Sequence, residues 1–65
     1  MSYAYILKSL KDGKYYYGST DDLEVRLKAH SAGRVGSTKS RRPMVLHYSE
    51  EFETTTEARR RELYF

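Results

Sequence analysis

The chain contains no cysteine, so disulfide staples, thiolate zinc sites and cysteine nucleophiles are excluded as sources of stability or chemistry. It has two histidines, His30 and His47, too few for a closed imidazole zinc site. Nine carboxylates remain as ligands for a hard cation such as magnesium. No long apolar run occurs in Met1 to Leu10, which argues against a signal peptide or membrane span and makes a reducing cytoplasm the expected location. Apolar residues are scarce, at 38% of sixty-five and a mean hydropathy of -0.83. At this length folding buries only about 60% of the surface the unfolded chain exposes, so a thin core is expected. Seven Tyr and two Phe supply enough aromatic surface for one globular domain.

Charge is unevenly placed. The net charge of +3 favours a polyanionic partner, weakly by itself. Gly33 to Arg42 holds Arg34, Lys39, Arg41 and Arg42 with no acidic residue, and Glu50, Glu51 and Glu53 follow soon after. A basic surface and a separate acidic one are expected.

Tyr3 to Ser9 and Lys14 to Thr20 are rich in aromatic and β-branched residues and flank Leu10-Lys11-Asp12-Gly13, whose Asp-Gly pair signals a hairpin. Asp21-Asp22-Leu23-Glu24 offers an N-cap aspartate with a glutamate three residues on, and Leu23 and Leu27 begin a helical stripe that Gly33 can stop. Residues 33 to 43, rich in Gly, Ser and basic residues and ending in Pro43, read as a surface loop. Met44 to Phe52 reads as a third strand. Thr54 with Glu57 repeats the capping pattern ahead of a second helix over Ala58 to Phe65. The expected fold is a small α+β domain of order ββαβα, with a three-stranded antiparallel sheet flanked by helices.

Both helices put charge on their apolar stripes. Arg26 and His30 lie beside Leu23 and Leu27, and Glu62 falls between Ala58 and Phe65. Polar groups facing a core lower stability unless paired or used. Hairpin parity adds a third feature: a four-residue loop over Leu10 to Gly13 makes Tyr5 and Tyr16 diagonal neighbours on one face, roughly 7 Å apart.

These residues resemble the GIY-YIG nuclease family, in particular its compact single-domain bacterial branch and the N-terminal nuclease domain found in excinuclease. Tyr3-Ala4-Tyr5-Ile6-Leu7 is similar to the first signature and Tyr16-Tyr17-Gly18 to the second. The stretch Ser19 to Leu27, followed by His30, resembles the family's first helix with its arginine and histidine. Glu57 to Glu62 resembles the segment that supplies a metal-binding glutamate. Tyr3, Ala4 and Tyr17 depart from the signatures. Relatives carry more helix beyond that glutamate, so the resemblance implies a single domain over residues 1–65 that is short of its last helical segment.

The resemblance implies hydrolysis of DNA phosphodiesters. Glu62 would hold Mg²⁺ or Mn²⁺, and Arg26 would contact the phosphate through its planar fork. An ordinary phenol, with a pKa of about 10, is a poor base at neutral pH, so its surroundings must help. Tyr5 is the preferred base with His30 behind it, and Tyr16 positions water or phosphate; the two tyrosines can exchange roles. Arg34, Lys39, Arg41 and Arg42 would meet backbone phosphates with little sequence preference, so recognition of branched or damaged DNA, as in repair or recombination, is expected. Plainer roles stand beside these: Tyr5 and Tyr16 as packing aromatics, Arg26 paired with Asp22, His30 at the helix C-terminal dipole, Glu62 paired with Arg59, and His47 as structural. Two other functions are open. One is a nucleic-acid-binding module without turnover, and the other a docking module using Glu50, Glu51 and Glu53. The thin core also gives reason to expect self-association or a place in a larger complex.

Overall fold

A computed structural model describes the backbone of residues 1–65 and every side chain except that of Ser37. The elements are β1 (Ser2–Ser9), β2 (Tyr15–Thr20), α1 (Leu23–Ser31), α2 (Gly36–Lys39), β3 (Met44–Phe52) and α3 (Thr55–Tyr64). The three strands form one antiparallel sheet in the order β2-β1-β3. The α+β architecture and the ββαβα order are as expected, with α2 as one added helical turn.

The hairpin takes the four-residue loop. Ser9 N–H donates to the Lys14 carbonyl at 2.8 Å and Gly13 N–H to the Ser9 carbonyl at 2.9 Å, while Gly13 sits at φ 73°, where a side chain would strain the backbone. The resulting register sets Leu7 opposite Tyr16 and Tyr5 opposite Gly18. Alternation along β1 then sends Tyr5 and Leu7 toward α1, and Ser2 and Ala4 toward α3.

Asp22, not Asp21, caps α1: its side chain accepts from Val25 N–H at 3.1 Å. Its own N–H is held by the Thr20 hydroxyl at 3.2 Å, which moves the helix start one residue along. Glu24 consequently makes no capping box and pairs with Lys28 at 3.4 Å. Gly33, at φ 75°, ends the turn after α1. Helix α3 begins three residues ahead of the apolar stripe, because Thr54 caps it by accepting from Glu57 N–H at 3.2 Å.

The core is thin and two-sided. Tyr5, Leu7 and Met44 are buried under the half-buried Tyr16, Leu23 and Leu27 on the α1 side. Ala4 and Ala58, both with no exposed surface, let α3 lie close on β1 on the other side. No helix among the described residues is long and apolar enough to cross a membrane.

Candidate active site

Tyr5, on the central strand, projects into the α1 side with no exposed surface. A phenol placed there must keep its hydroxyl hydrogen-bonded. It does so twice: Tyr5 Oη lies 3.1 Å from His30 Nε2, and Arg26 Nε donates to it at 3.4 Å. Arg26 and His30 stand four residues apart on α1 and present their polar ends to the same point. Tyr16, from β2, closes the cluster, its ring 6.5 Å from that of Tyr5 and 5.1 Å from that of His30. The four residues therefore meet, and Arg26 turns to Tyr5 rather than to Asp22.

The electrostatics follow from burial and from the one cation present. Burial pushes the Tyr5 phenol above its ordinary value of 10.0, opposed by the hydrogen bond from Arg26, while the charges of Tyr16 and Glu62 push the same way as burial. Burial pushes His30 below 6.5, and the Arg26 guanidinium adds to the effect. The hydrogen bond to Tyr5 holds the Arg26 proton more tightly, and Tyr16 contributes in the same direction. At neutral pH the cluster rests as a phenol, a neutral imidazole and a guanidinium.

Glu62 reaches this cluster from the other side of the sheet. It is half-buried on α3, and Oε1 accepts a 2.7 Å hydrogen bond from the Ser19 hydroxyl. Ser19 lies opposite Ala4 in the register, on the α3 face, next to Gly18. Among the described residues Glu62 makes no ion pair with Arg59; Arg61 instead binds Glu50 at 2.6 Å. No group of three or more His, Asp or Glu side chains among the described residues could hold a metal. A carboxylate with Oε2 free of hydrogen bonds among those residues suits magnesium, which keeps several waters and takes one or two carboxylates.

The basic loop divides. Arg34 and Lys39 are exposed, with no side-chain hydrogen bond or ion pair among the described residues. Arg41 does not stand free: its guanidinium lies 3.4 Å from Asp12 Oδ2 and donates to the Tyr15 carbonyl at 3.3 Å. Arg42 is likewise spent within the fold, donating to the carbonyls of Lys39 at 3.0 Å and Ser31 at 3.4 Å. Arginine has five donors in a rigid fork, and in a folded loop the unpaired carbonyls claim them first. His47 is exposed, its ring 5.0 Å from that of Tyr15.

Three further residues belong to the site without having stood out in the sequence. Thr38 has no exposed surface, and its Oγ1 lies 2.8 Å from His30 Nδ1. Ser19 holds Glu62. Gly18 leaves room for Tyr5, since a Cβ there would lie 2.5 Å from both Cζ and Oη of the phenol. Of the three, Gly18 alone carries a sequence signal, as the glycine of the second signature.

The profile of the GIY-YIG catalytic domain matches residues 1–65. A UPF0213 protein of Bacillus licheniformis is 45% identical over 64 residues, covering 97% of this chain and 65% of the relative. UPF0213 proteins of Staphylococcus haemolyticus and Clostridium perfringens are each 48% identical, over 61 and 65 residues, covering 92% and 98% of this chain and 73% and 69% of theirs. The chain thus spans about two thirds of the length of these relatives, whose designation states no activity. No solved structure matches.

Proposed function

Because the chain belongs to the GIY-YIG family of nuclease catalytic domains, we propose that it is a metal-dependent endonuclease that hydrolyses DNA phosphodiesters. The observation that supports this most is the hydrogen-bonded meeting of Arg26, Tyr5 and His30 beneath Tyr16. These are one cation, one neutral base and two phenols on a surface where a phosphate can approach.

Hydrolysis needs a proton acceptor for the attacking water and neutralisation of charge on the phosphate. Tyr5 is covered in the resting state, and Arg26 is one of the groups covering its hydroxyl. Their 3.4 Å contact is at the weak end for a hydrogen bond. Arg26 turning to the phosphate would neutralise it and open the Tyr5 hydroxyl to water. Tyr5 would take the water's proton as it gives its own to His30 Nε2, so no free phenolate is required. Tyr16, half-exposed, would orient the water or the phosphate. Glu62 would hold Mg²⁺ or Mn²⁺, which supplies positive charge beside the phosphate oxygens when bound. Arg34 and Lys39 would contact neighbouring phosphates without reading bases, which favours recognition of branched or damaged DNA, as in repair or recombination.

The test is nicking of supercoiled and branched DNA with Mg²⁺ or Mn²⁺ by the parent, Glu62→Ala, Arg26→Ala, Tyr5→Phe and Tyr16→Phe. Loss of at least a hundredfold is expected for Glu62→Ala and Arg26→Ala, on the order of a preorganised charge at a transition state. Cleavage by Glu62→Ala at the parent rate would sink the metal role. DNA binding without cleavage under either metal would leave a binding module.

A further inference from the structure

Behind His30 lies a hydroxyl that the reaction does not touch but that decides what the imidazole can do. Thr38 sits on the one-turn helix α2, with no exposed surface. Its Oγ1 has two oxygen or nitrogen neighbours: the Val35 carbonyl at 3.4 Å and His30 Nδ1 at 2.8 Å. A carbonyl only accepts, so the one hydroxyl proton of Thr38 is directed to Val35. The short contact to Nδ1 must then be made with a proton that His30 supplies.

We propose that Thr38 is a positioning residue that fixes His30 as the Nδ1–H tautomer, so that Nε2 presents its lone pair to the Tyr5 hydroxyl. The hydrogen bonds then run in one direction. Arg26 donates to Tyr5, Tyr5 to His30, His30 to Thr38, and Thr38 to the Val35 carbonyl. Each polar atom in the chain has its partner, which a buried network requires. With the opposite tautomer, Nε2–H would face Tyr5 and the imidazole could accept no proton there. In the fixed tautomer, a proton leaving Tyr5 Oη ends on Nε2, breaking an O–H bond and making an N–H bond. Phenol and imidazole become phenolate and imidazolium, with no change in net charge. The charged and titratable groups facing His30 are Tyr5 and Tyr16 from the sheet and Arg26 from its own helix.

The tautomer stands on hydrogen bonding alone, and its use in catalysis rests on the nuclease reading above. Nitrogen-15 NMR of the histidine-labelled protein at neutral pH reads the tautomer directly. The parent and Thr38→Ser should show His30 protonated at Nδ1 and bare at Nε2, and the near-isosteric Thr38→Val should shift toward Nε2–H. A parent that shows Nε2–H, or a Thr38→Val variant with an unchanged tautomer, overturns the proposal. The parent spectrum decides it even if Thr38→Val fails to fold. In nicking assays Thr38→Val should lose about ten- to a hundredfold, the scale for a partner that orients a reactive group, and Thr38→Ser should recover most of it. A shifted tautomer with parental nicking would overturn the positioning role, whereas absence of nicking in the parent would sink only the nuclease reading.

Discussion

Gly18→Ala is the most informative single change, because one added carbon tests how tightly Tyr5 is seated. Gly18 lies directly opposite Tyr5, and the new Cβ would lie 2.5 Å from both Cζ and Oη of that ring and 3.0 Å from Cε2. Tyr5 has no exposed surface into which to retreat, so the ring or the edge strand must shift. Overpacking of this kind costs about 1–3 kcal/mol, and displacing Oη endangers the bonds to His30 and Arg26, worth about 1 kcal/mol each. A total near 2–4 kcal/mol is large against the roughly 3–10 kcal/mol that a chain of this length is expected to have. At about 7 °C per kcal/mol for so small a domain, the thermal midpoint should fall by about 14–28 °C. Circular dichroism melts measure it, with Gly36→Ala as control. No atom approaches within 4 Å of a Cβ at that position, so that variant should be neutral or slightly stabilised. Adding Tyr5→Phe removes the hydroxyl but not Cζ, so the double mutant should recover part of the loss and show non-additive coupling. A Gly18→Ala midpoint within about 0.5 kcal/mol of the parent, the usual range for substitutions that disturb nothing, would refute the seating of Tyr5.

Three further outcomes are expected. Ser19→Ala removes the hydroxyl that holds Glu62 and should lower stability by about 1 kcal/mol and slow nicking; unchanged values in urea melts and in the nicking assay would count against that bond. His30 titrates below 6.5 in the folded state because of burial and Arg26. The unfolded chain therefore binds the proton first, and stability should be intact above about pH 6.5 and decline as pH falls below it. Urea midpoints for His30→Gln should show less of this decline between about pH 6.5 and 5. Arg41→Gln should destabilise the hairpin end, since its guanidinium is held by Asp12 and Tyr15. Arg34→Gln and Lys39→Gln should instead leave melting unchanged and each reduce the salt dependence of DNA binding by about one unit of slope.

Much of the fold is readable from local chemistry. The Asp-Gly pair and strand composition place the hairpin, and its four-residue loop brings Tyr5 and Tyr16 to one face. The wheel placement of Arg26 and His30 beside Leu23 and Leu27 signals that polar groups enter the core, and the hydrogen bonds to Tyr5 satisfy them. The choice of Asp22 as cap is not legible, because the Thr20 hydroxyl, outside the helix, selects which aspartate turns inward. Helix α2 escapes for a different reason: Gly36 to Lys39 has no apolar period, and its turn is held by Thr38 against His30. The sign of Arg41 and Arg42 is plain, but their partners are carbonyls and a carboxylate that come within reach only when the loop folds.

Gly18 and Ser19 also explain how a sheet with helices on opposite faces can assemble one site. Tyr5, Tyr16, Arg26 and His30 gather on the α1 face, while Glu62 arrives from α3. Two faces of a sheet are ordinarily separated by the side chains of its strands. Here β2 is an edge strand, and beside Tyr5 it carries a glycine, so no side chain stands between the phenol and the rim of the sheet. The next residue, Ser19, points to the α3 face and holds the carboxylate there at 2.7 Å. The charge of Glu62 then acts on Tyr5, though as the weakest of its influences. A phosphate entering at this edge could meet Arg26 from one face and a Glu62-held metal ion from the other. This geometry predicts that Gly18→Ala harms nicking more than its stability loss explains, since the added carbon lies between the two halves. Rates measured well below the melting midpoint should therefore fall for Gly18→Ala, and a parental rate there would show that the rim is not the meeting place.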